Sequence, residues 1–535
     1  MKKYNYIFLI SLVCFLSGCG EGFLDKPPFG ILTDNTYYQT ESDAFTALTA
    51  IYSYLGGDNN DMEFVGYELG DMTSDDAWKG GESDNDRPFV NDLAFFRAMS
   101  NNQDVEGWWM NNYQGIFRVN TLLERLPDIT FADASLKARY EGEARFIRAF
   151  LYLNLVRIYG DVPLVDRRLT YPIDEYIMPR TPAAQVHQFI RNELKEIANI
   201  VPAKSQMNMA NEWGRVSRGA VYALLARVEL YFGAFAEAGE AAKWVIDSGD
   251  YSLEPQFGDL FFKNDLISEE SIFEVLHKNT DGNGDDTILP TYYRSRGCGG
   301  WGFLCPTESL VGEFEIGDPR LLYTITETGD SFPRKDGTAE IQNHTGYTSG
   351  DGYHSRKMFY PELRRANRSQ MDLNLKKIRY ADVLLMYAES LIESEGGDLT
   401  IACNYINMVR ERARNTYKYD PEAFGETEED KLASRTRKID LNVTIPDVRP
   451  TSREEVRAAL RHERRVELAT EGHRFYDLKR WGWEYAKPLI EKARRSLDSY
   501  SNWELPQPEL RLKTYPVPQT EIDRTGGVIT QNPGW

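Results

Sequence analysis

Apolar residues along this chain recur at three- and four-residue intervals more often than at two. Between positions 138 and 159 they fall at Ala144, Ile147, Leu151, Leu155 and Ile158, and Gly160-Asp161-Val162-Pro163 closes the run. From 376 to 395 the stripe is Ile378, Ala381, Leu385, Ala388 and Ile392, ended by Gly396 and Gly397. This spacing lines one face of an α-helix, and that face must be buried against a neighbour. Further helices are predicted over 42–54, 104–126, 182–200, 452–470 and 485–499. Trp108 and Trp109 sit side by side in the second of these, so at most one is expected to face the core, although packing is the better reading of both.

Two stretches read as helix–turn–helix pairs: 216–232 with 235–246 across Gly233, and 380–394 with 400–414 across the double glycine. Small residues (Ala220, Ala223, Ala226 and Ala238, Ala241, Ala242) let paired helices approach closely. The arrangement resembles tetratricopeptide packing, although the full consensus is absent. The region 253–375 differs, with sustained stripes giving way to Gly, Asp, Tyr and short polar runs; a short strand is expected over 271–276. The predicted fold is therefore mostly α, a scaffold of tetratricopeptide-like helix pairs carrying long irregular ligand-binding loops and a few short strands.

The N-terminus carries an address. Lys2 and Lys3 precede an apolar run of about ten residues, too short to cross roughly 30 Å of hydrocarbon as a helix, and Leu16-Ser17-Gly18-Cys19 follows. This is the layout of a secretory signal peptide over 1–18. Leu-Ser-Gly-Cys resembles the bacterial lipobox, which makes Cys19 the expected lipidation site and 19–33, with Pro27, Pro28 and Gly30, a tether. The leader holds two lysines and no acid, so its removal takes the net charge of the 535-residue chain from −20 to −22. That balance argues against a general nucleic-acid binder. Five cysteines are too few for a disulfide scaffold. The aromatics (31 Tyr, 26 Phe, 10 Trp) are more than packing obviously requires.

Several motifs together resemble the SusD/RagB family of Bacteroidetes nutrient-uptake lipoproteins. They begin with Cys19, Phe23-Leu24-Asp25, Thr36-Tyr37-Tyr38 and Asp43-Ala44. Glu143-Ala-Arg-Phe-Ile-Arg-Ala-Phe150 follows, running into Arg157-Ile-Tyr-Gly-Asp-Val-Pro-Leu164. Next come Gly214-Arg-Val-Ser217, Ala223-Leu-Leu-Ala-Arg227 and Arg379-Tyr-Ala-Asp-Val-Leu-Leu-Met-Tyr-Ala-Glu389. The most specific stretch is Glu463-Arg-Arg-Val-Glu-Leu-Ala-Thr-Glu-Gly-His-Arg474 through Arg480-Trp481-Gly482. Tyr515-Pro-Val-Pro518 and Gln531-Asn-Pro-Gly-Trp535 close the match. The resemblance implies a helical lid on a SusC-like TonB-dependent transporter of the outer membrane, surface-exposed and lipid-anchored, binding oligosaccharide or polysaccharide for import. On this view 34–252 is an N-terminal SusD-like helical half and 253–535 a C-terminal RagB/SusD half whose 253–375 region chooses the ligand. The interleaved charges of 463–474 read as a packed ion-pair network rather than a catalytic dyad, and His473 as an interface histidine.

Sugar rings offer apolar faces and a rim of hydroxyls, met by flat aromatics and by Asp, Asn or Arg. Two constellations fit. Asp75, Asp76, Trp78, Lys79, Asp84, Asn85, Asp86 and Arg87 lie in a Gly-rich stretch, where Trp78 either stacks on ligand or plugs the body. Tyr292, Tyr293, Arg294, Arg296, Trp301 and Phe303 surround glycines 297, 299, 300 and 302, either as a solvent-facing ledge or as a small cluster under a loop. Trp213 reads as a helix staple. Gly297-Cys-Gly-Gly-Trp-Gly302 spells G-x-G-x-x-G without the strand and helix a dinucleotide fold needs. Cys298 and Cys305 are read either as a disulfide or as two thiols, and Cys403 as buried apolar filling. Asp281, Asn283 and Asp285 start like a calcium loop but lack its Gly and closing Glu. No zinc motif occurs, and no metal or cofactor is expected. The basic residues between 356 and 379 read as a solvated face, or less favourably as a landing strip for an anionic glycan. The leading function is non-catalytic glycan capture. The alternatives are a peptide-binding relative, a scaffold for the transporter, or a glycoside hydrolase using Asp75/Asp76 or Asp285/Asp286.

Overall fold

The computed structural model describes residues 37–56, 62–169, 177–262, 267–277, 287–333, 339–342, 352–358, 373–416, 440, 443–496, 501–506 and 513–535. The leader, the tether, Cys19 and the Asp281–Asp286 stretch lie outside them. The principal helices are α1 (Glu41–Gly56), α2 (Gln103–Arg125), α3 (Ala134–Tyr159), α4 (Ala183–Ile197), α5 (Arg218–Tyr231) and α6 (Phe235–Ser248). The C-terminal half adds α7 (Tyr380–Glu393), α8 (Leu399–Asn415), α9 (Arg453–Glu467), α10 (Arg474–Trp481) and α11 (Trp483–Arg495).

Local signals set their ends. The Asn102 side chain accepts from the amides of Asp104 and Val105 at the start of α2, Asp133 caps α3, and Ser217 caps α5. Ser452 and Glu455 form a reciprocal capping box on α9. Gly160, at φ 71°, stops α3 in a conformation that side chains other than glycine adopt at a cost. From α2 to α8 each helix packs on the next in chain order, and α9 lies against both α7 and α8. The expected small-residue seam is present: Ala220, Ala223, Ala226, Ala238, Ala241 and Ala242 are all buried, and a Cβ on Gly239 would meet the Ser390 hydroxyl oxygen at 2.7 Å.

Among the described residues, eight short strands join only in pairs. β1 (Ala77–Gly80) runs antiparallel to β3 (Phe303–Pro306), and β2 (Ser271–Val275) to β8 (Leu375–Arg379). β4 (Ile325–Glu327) pairs with β7 (Tyr353–Ser355), and β5 (Ser331–Pro333) with β6 (Ala339–Ile341). β1–β3 ties the 253–375 region to the N-terminal part of the chain, whereas β4–β7 and β5–β6 pair within it.

Trp108 and Trp109 correct one expectation, because both are buried, at 8% and 2% exposure. Trp108 packs against the segment of Gly66, while Trp109 meets Tyr159 edge-on at 4.9 Å, so α2 is covered on both sides at this level. Trp213 donates its indole N–H to Glu274 of β2.

The charges of 463–474 form a buried lattice, as expected. Glu467 of α9 takes Arg379 at 2.7 Å, Arg320 at 3.0 Å and Arg412 at 2.5 Å. Glu471 takes Arg379 at 2.7 Å and Lys357 at 2.6 Å. Arg464 joins Asp382 and Asp477, both at 2.9 Å. Burial alone would raise the Glu471 carboxyl, yet Arg379 and Lys357 outweigh it and hold it down at about 2. Arg356, Lys357 and Arg379 are thus interior, which corrects the reading of these three as part of a solvated basic face.

Candidate functional site

The β1–β3 ribbon brings together two loops that lie more than 200 residues apart in sequence. Trp78 stands opposite Cys305 and Gly80 opposite Phe303, so the turn after β1 and the turn before β3 emerge at the same end. Their approach depends on glycine. Gly80 has φ 74°, and a Cβ there would lie 2.1 Å from the Gly302 carbonyl oxygen. The Gly81 amide donates to that same carbonyl at 2.7 Å. On the other side, the Trp301 amide donates to Thr291 O and the Gly302 amide to Arg294 O, both at 2.8 Å, which fixes the turn that presents Trp301.

Between the turns lies an open cavity of about 510 Å³, lined by Glu82, Asp86, Arg87, Arg296, Gly299, Gly300, Trp301 and Phe303. Trp301 is partly exposed. Arg296 pairs with Glu82 at 2.8 Å and Asp86 at 3.4 Å and reaches the Trp301 carbonyl at 3.3 Å. Arg87, at φ 53°, enters from the opposite side and meets Asp104 at 3.0 Å and Glu68 at 3.2 Å. Its guanidinium lies over Phe64 at 4.6 Å, and Phe64, Tyr292 and Phe303 stack in order at 4.5 and 4.6 Å. The Tyr292 hydroxyl donates to Glu68. Burial lifts the Glu68 carboxyl to about 8, against the pull of Arg87. An aromatic stack with the Glu68 carboxyl behind it therefore forms the rigid floor, and Trp301 a partly exposed wall.

Most residues expected to face ligand are sealed in, and this corrects the sequence reading. Asp75 and Asp76 are fully buried: Arg474 meets Asp75 at 2.8 Å, and Arg465 meets Asp76 at 2.7 Å. Burial raises the Asp75 carboxyl, but Arg465 and Arg474 overcome that and hold it well below the usual range. Burial, reinforced by the charge of Asp75, lifts Asp76. With no open face, this pair is closed to a glycosidic bond. Trp78 is 2% exposed, packed beneath the Arg494 guanidinium at 4.8 Å and beside Phe95 and Trp503. The Lys79 ammonium is drawn inward by the carbonyls of Gly80, Ser83 and Asp86 at 2.7 to 3.0 Å, holding the turn closed. Tyr292, Tyr293 and Phe303 are also buried, Phe303 as cavity floor. Cys298 and Cys305 are buried thiols, so the disulfide option falls; Cys305 Sγ lies 3.3 Å from Gly302 O. Trp301, Arg87, Asp86 and Arg296 do share one opening. Sequence reasoning missed Glu82, Phe64 and Glu68, since Phe64 and Glu68 lie outside both constellations and Glu82 was passed over between Lys79 and Asp84.

Among the described residues no group of three His, Cys, Asp or Glu side chains converges as a metal site. A second cavity, of about 560 Å³, follows the outer side of α2 past Trp109, Met110, Tyr113 and Phe117 and is mainly apolar.

Comparison with known proteins adds to this geometry. The SusD family profile matches residues 269–535, and a second profile, described as starch-binding associating with outer membrane, matches residues 34–230. The chain belongs to the SusD family. SusD-like protein P2 of Formosa agariphila is 27% identical over the full length of both chains. A laminarin binding SusD-like protein is 27% identical with a TM-score of 0.71, over 93% of this chain and all of that one. The fold is also that of surface glycan-binding protein A from Bacteroides thetaiotaomicron in complex with laminarihexaose, with TM-score 0.72, 22% identity and coverage of 92% and 100%. No helix among the described residues is long and apolar enough to cross a membrane.

Proposed function

We propose that this SusD-family protein is a lipid-anchored, non-catalytic surface receptor that captures a glycan at the Trp301 cavity and passes it to a TonB-dependent transporter partner. One observation carries the reading: a partly exposed tryptophan on a pinned glycine turn, lining an open cavity rimmed by Glu82, Asp86, Arg87 and Arg296. The indole offers a face to a sugar ring, and the charged rim offers hydroxyl partners. The size suits a few sugar units. The laminarin and laminarihexaose named for the structural relatives support a glycan as the ligand class. Cys19 supplies the anchor, which leaves the body in water beside the membrane.

Affinity electrophoresis and calorimetry of the chain from residue 20 onward test the capture. Binding of a neutral glucan that is weakened about tenfold or more in Trp301→Ala, with the thermal transition unchanged, is the expected result; binding indifferent to Trp301 removes the site. Cys19→Ala is expected to move the full chain from membranes to the soluble fraction. Cross-linking in membranes is expected to recover a large β-barrel partner.

A further inference from the structure

We infer that the Trp301 cavity selects uncharged glycans and excludes sulfated or uronate-bearing ones, an inference that rests on the glycan reading of this same cavity. Anionic sugars are normally held by guanidinium groups whose charge is not already met by a carboxylate. Here both arginines of the cavity are already engaged by carboxylates. Arg296 bridges Glu82 at 2.8 Å and Asp86 at 3.4 Å, and Arg87 bridges Asp104 at 3.0 Å and Glu68 at 3.2 Å. A sulfate reaching either would have to displace a carboxylate and then sit beside it.

The field points the same way. Glu82 is the most exposed charge of the rim, its side chain 73% accessible, and Asp84 is exposed on the same turn. The third cation of the turn, Lys79, is spent on three backbone carbonyls and faces inward. Even with Glu68 protonated, the acids in and behind the cavity outnumber the cations. The chain's net charge of −20 adds a repulsive background. In the basic run toward residue 379, the one sequence feature that would suit an anionic glycan, Arg356, Lys357 and Arg379 lie in the interior, and Lys376 and Lys377 are half-buried along a different cavity, beside Glu471 and His473. What remains on offer is one indole face with carboxylates that accept from hydroxyls and guanidinium N–H groups that donate to them, the chemistry of a neutral sugar.

The test is calorimetric titration of the chain from residue 20 onward with two sets of probes. Neutral glucans (laminarin, mixed-linkage β-glucan, amylose) are compared with alginate, carrageenan and heparin at 50 and 500 mM NaCl. The inference expects binding within the neutral set only, Trp301-dependent and changed by less than about threefold across the salt range, since no net ion pair forms with ligand. The double variant Glu82→Gln/Asp86→Asn, which releases Arg296, is expected to gain at least about tenfold in affinity for carrageenan at 50 mM salt. Trp301-dependent binding of an anionic glycan to the unaltered chain overturns the selectivity and leaves the site standing. Failure of every probe, or binding indifferent to Trp301→Ala, overturns the site and the selectivity together.

Discussion

Two charged, aromatic segments brought together by the β1–β3 ribbon, 75–79 and 296–301, end in opposite places. The segment 75–79 carries two acids, a tryptophan and a lysine, and all are inside; the segment 296–301 carries an arginine, glycines and a tryptophan, and reaches solvent. Polarity does not decide this. What decides it is whether the frame supplies opposite charges at interior positions. Arg465 and Arg474 stand ready for Asp75 and Asp76, and Arg494 covers Trp78, so the polar stretch is pulled in as one neutralised block. Arg296 has only rim carboxylates to meet, and stays at the edge.

The comparison can be broken by substitution. Arg474→Met leaves Asp75 with half its compensation in a site closed to water, and loss of about 3–5 kcal/mol is expected in denaturant unfolding; Trp78→Ala should cost a similar ~3–5 kcal/mol through the cavity it leaves. Equal stability of either variant with the parent would mean that this block is not interior. Trp301→Ala should do the reverse: affinity falls about tenfold or more, roughly 1.4 kcal/mol, while the unfolding midpoint stays within about a degree.

A smaller effect sharpens the account of the frame. His462 lies between Glu313 at 2.8 Å and Glu315 at 3.2 Å; burial pulls its pKa down, but the carboxylates prevail and lift it to about 9 from 6.5. The folded chain keeps a proton that the unfolded chain releases, so this contribution is full below pH 6.5 and fades as pH climbs through 9. Thermal melts of the parent and His462→Asn should therefore differ most near pH 6 and converge above 9; a constant gap would contradict the pairing. The smallest effect is expected from dithiothreitol, which should leave the melting curve unchanged because Cys298 and Cys305 are already thiols.

Much of the frame was legible. Helical period, capping residues such as Asp133 and Ser217, and glycine stops such as Gly160 are local signals, and the helices fall close to where they were expected. The ion-pair character of 463–474 was legible too, because its charges share a helix face. The fate of Trp78 was not: its cover comes from Arg494, more than 400 positions away, and no local pattern announces such a partner. Trp301 could be picked out by its glycines, since Gly300 and Gly302 have no side chain with which to cover it. Glu82 could not, because its role arises only when Arg296 is brought across the ribbon.

The clasp between Asp75, Asp76 and the arginines at 465 and 474 also sets an order of events. While the chain is being made or exported from its N-terminus, these two acids wait without counter-ions until nearly nine-tenths of the polypeptide has appeared. The cavity between the two turns is therefore one of the last parts to take shape, and a chain that stops short of residue 474 should form helices without it.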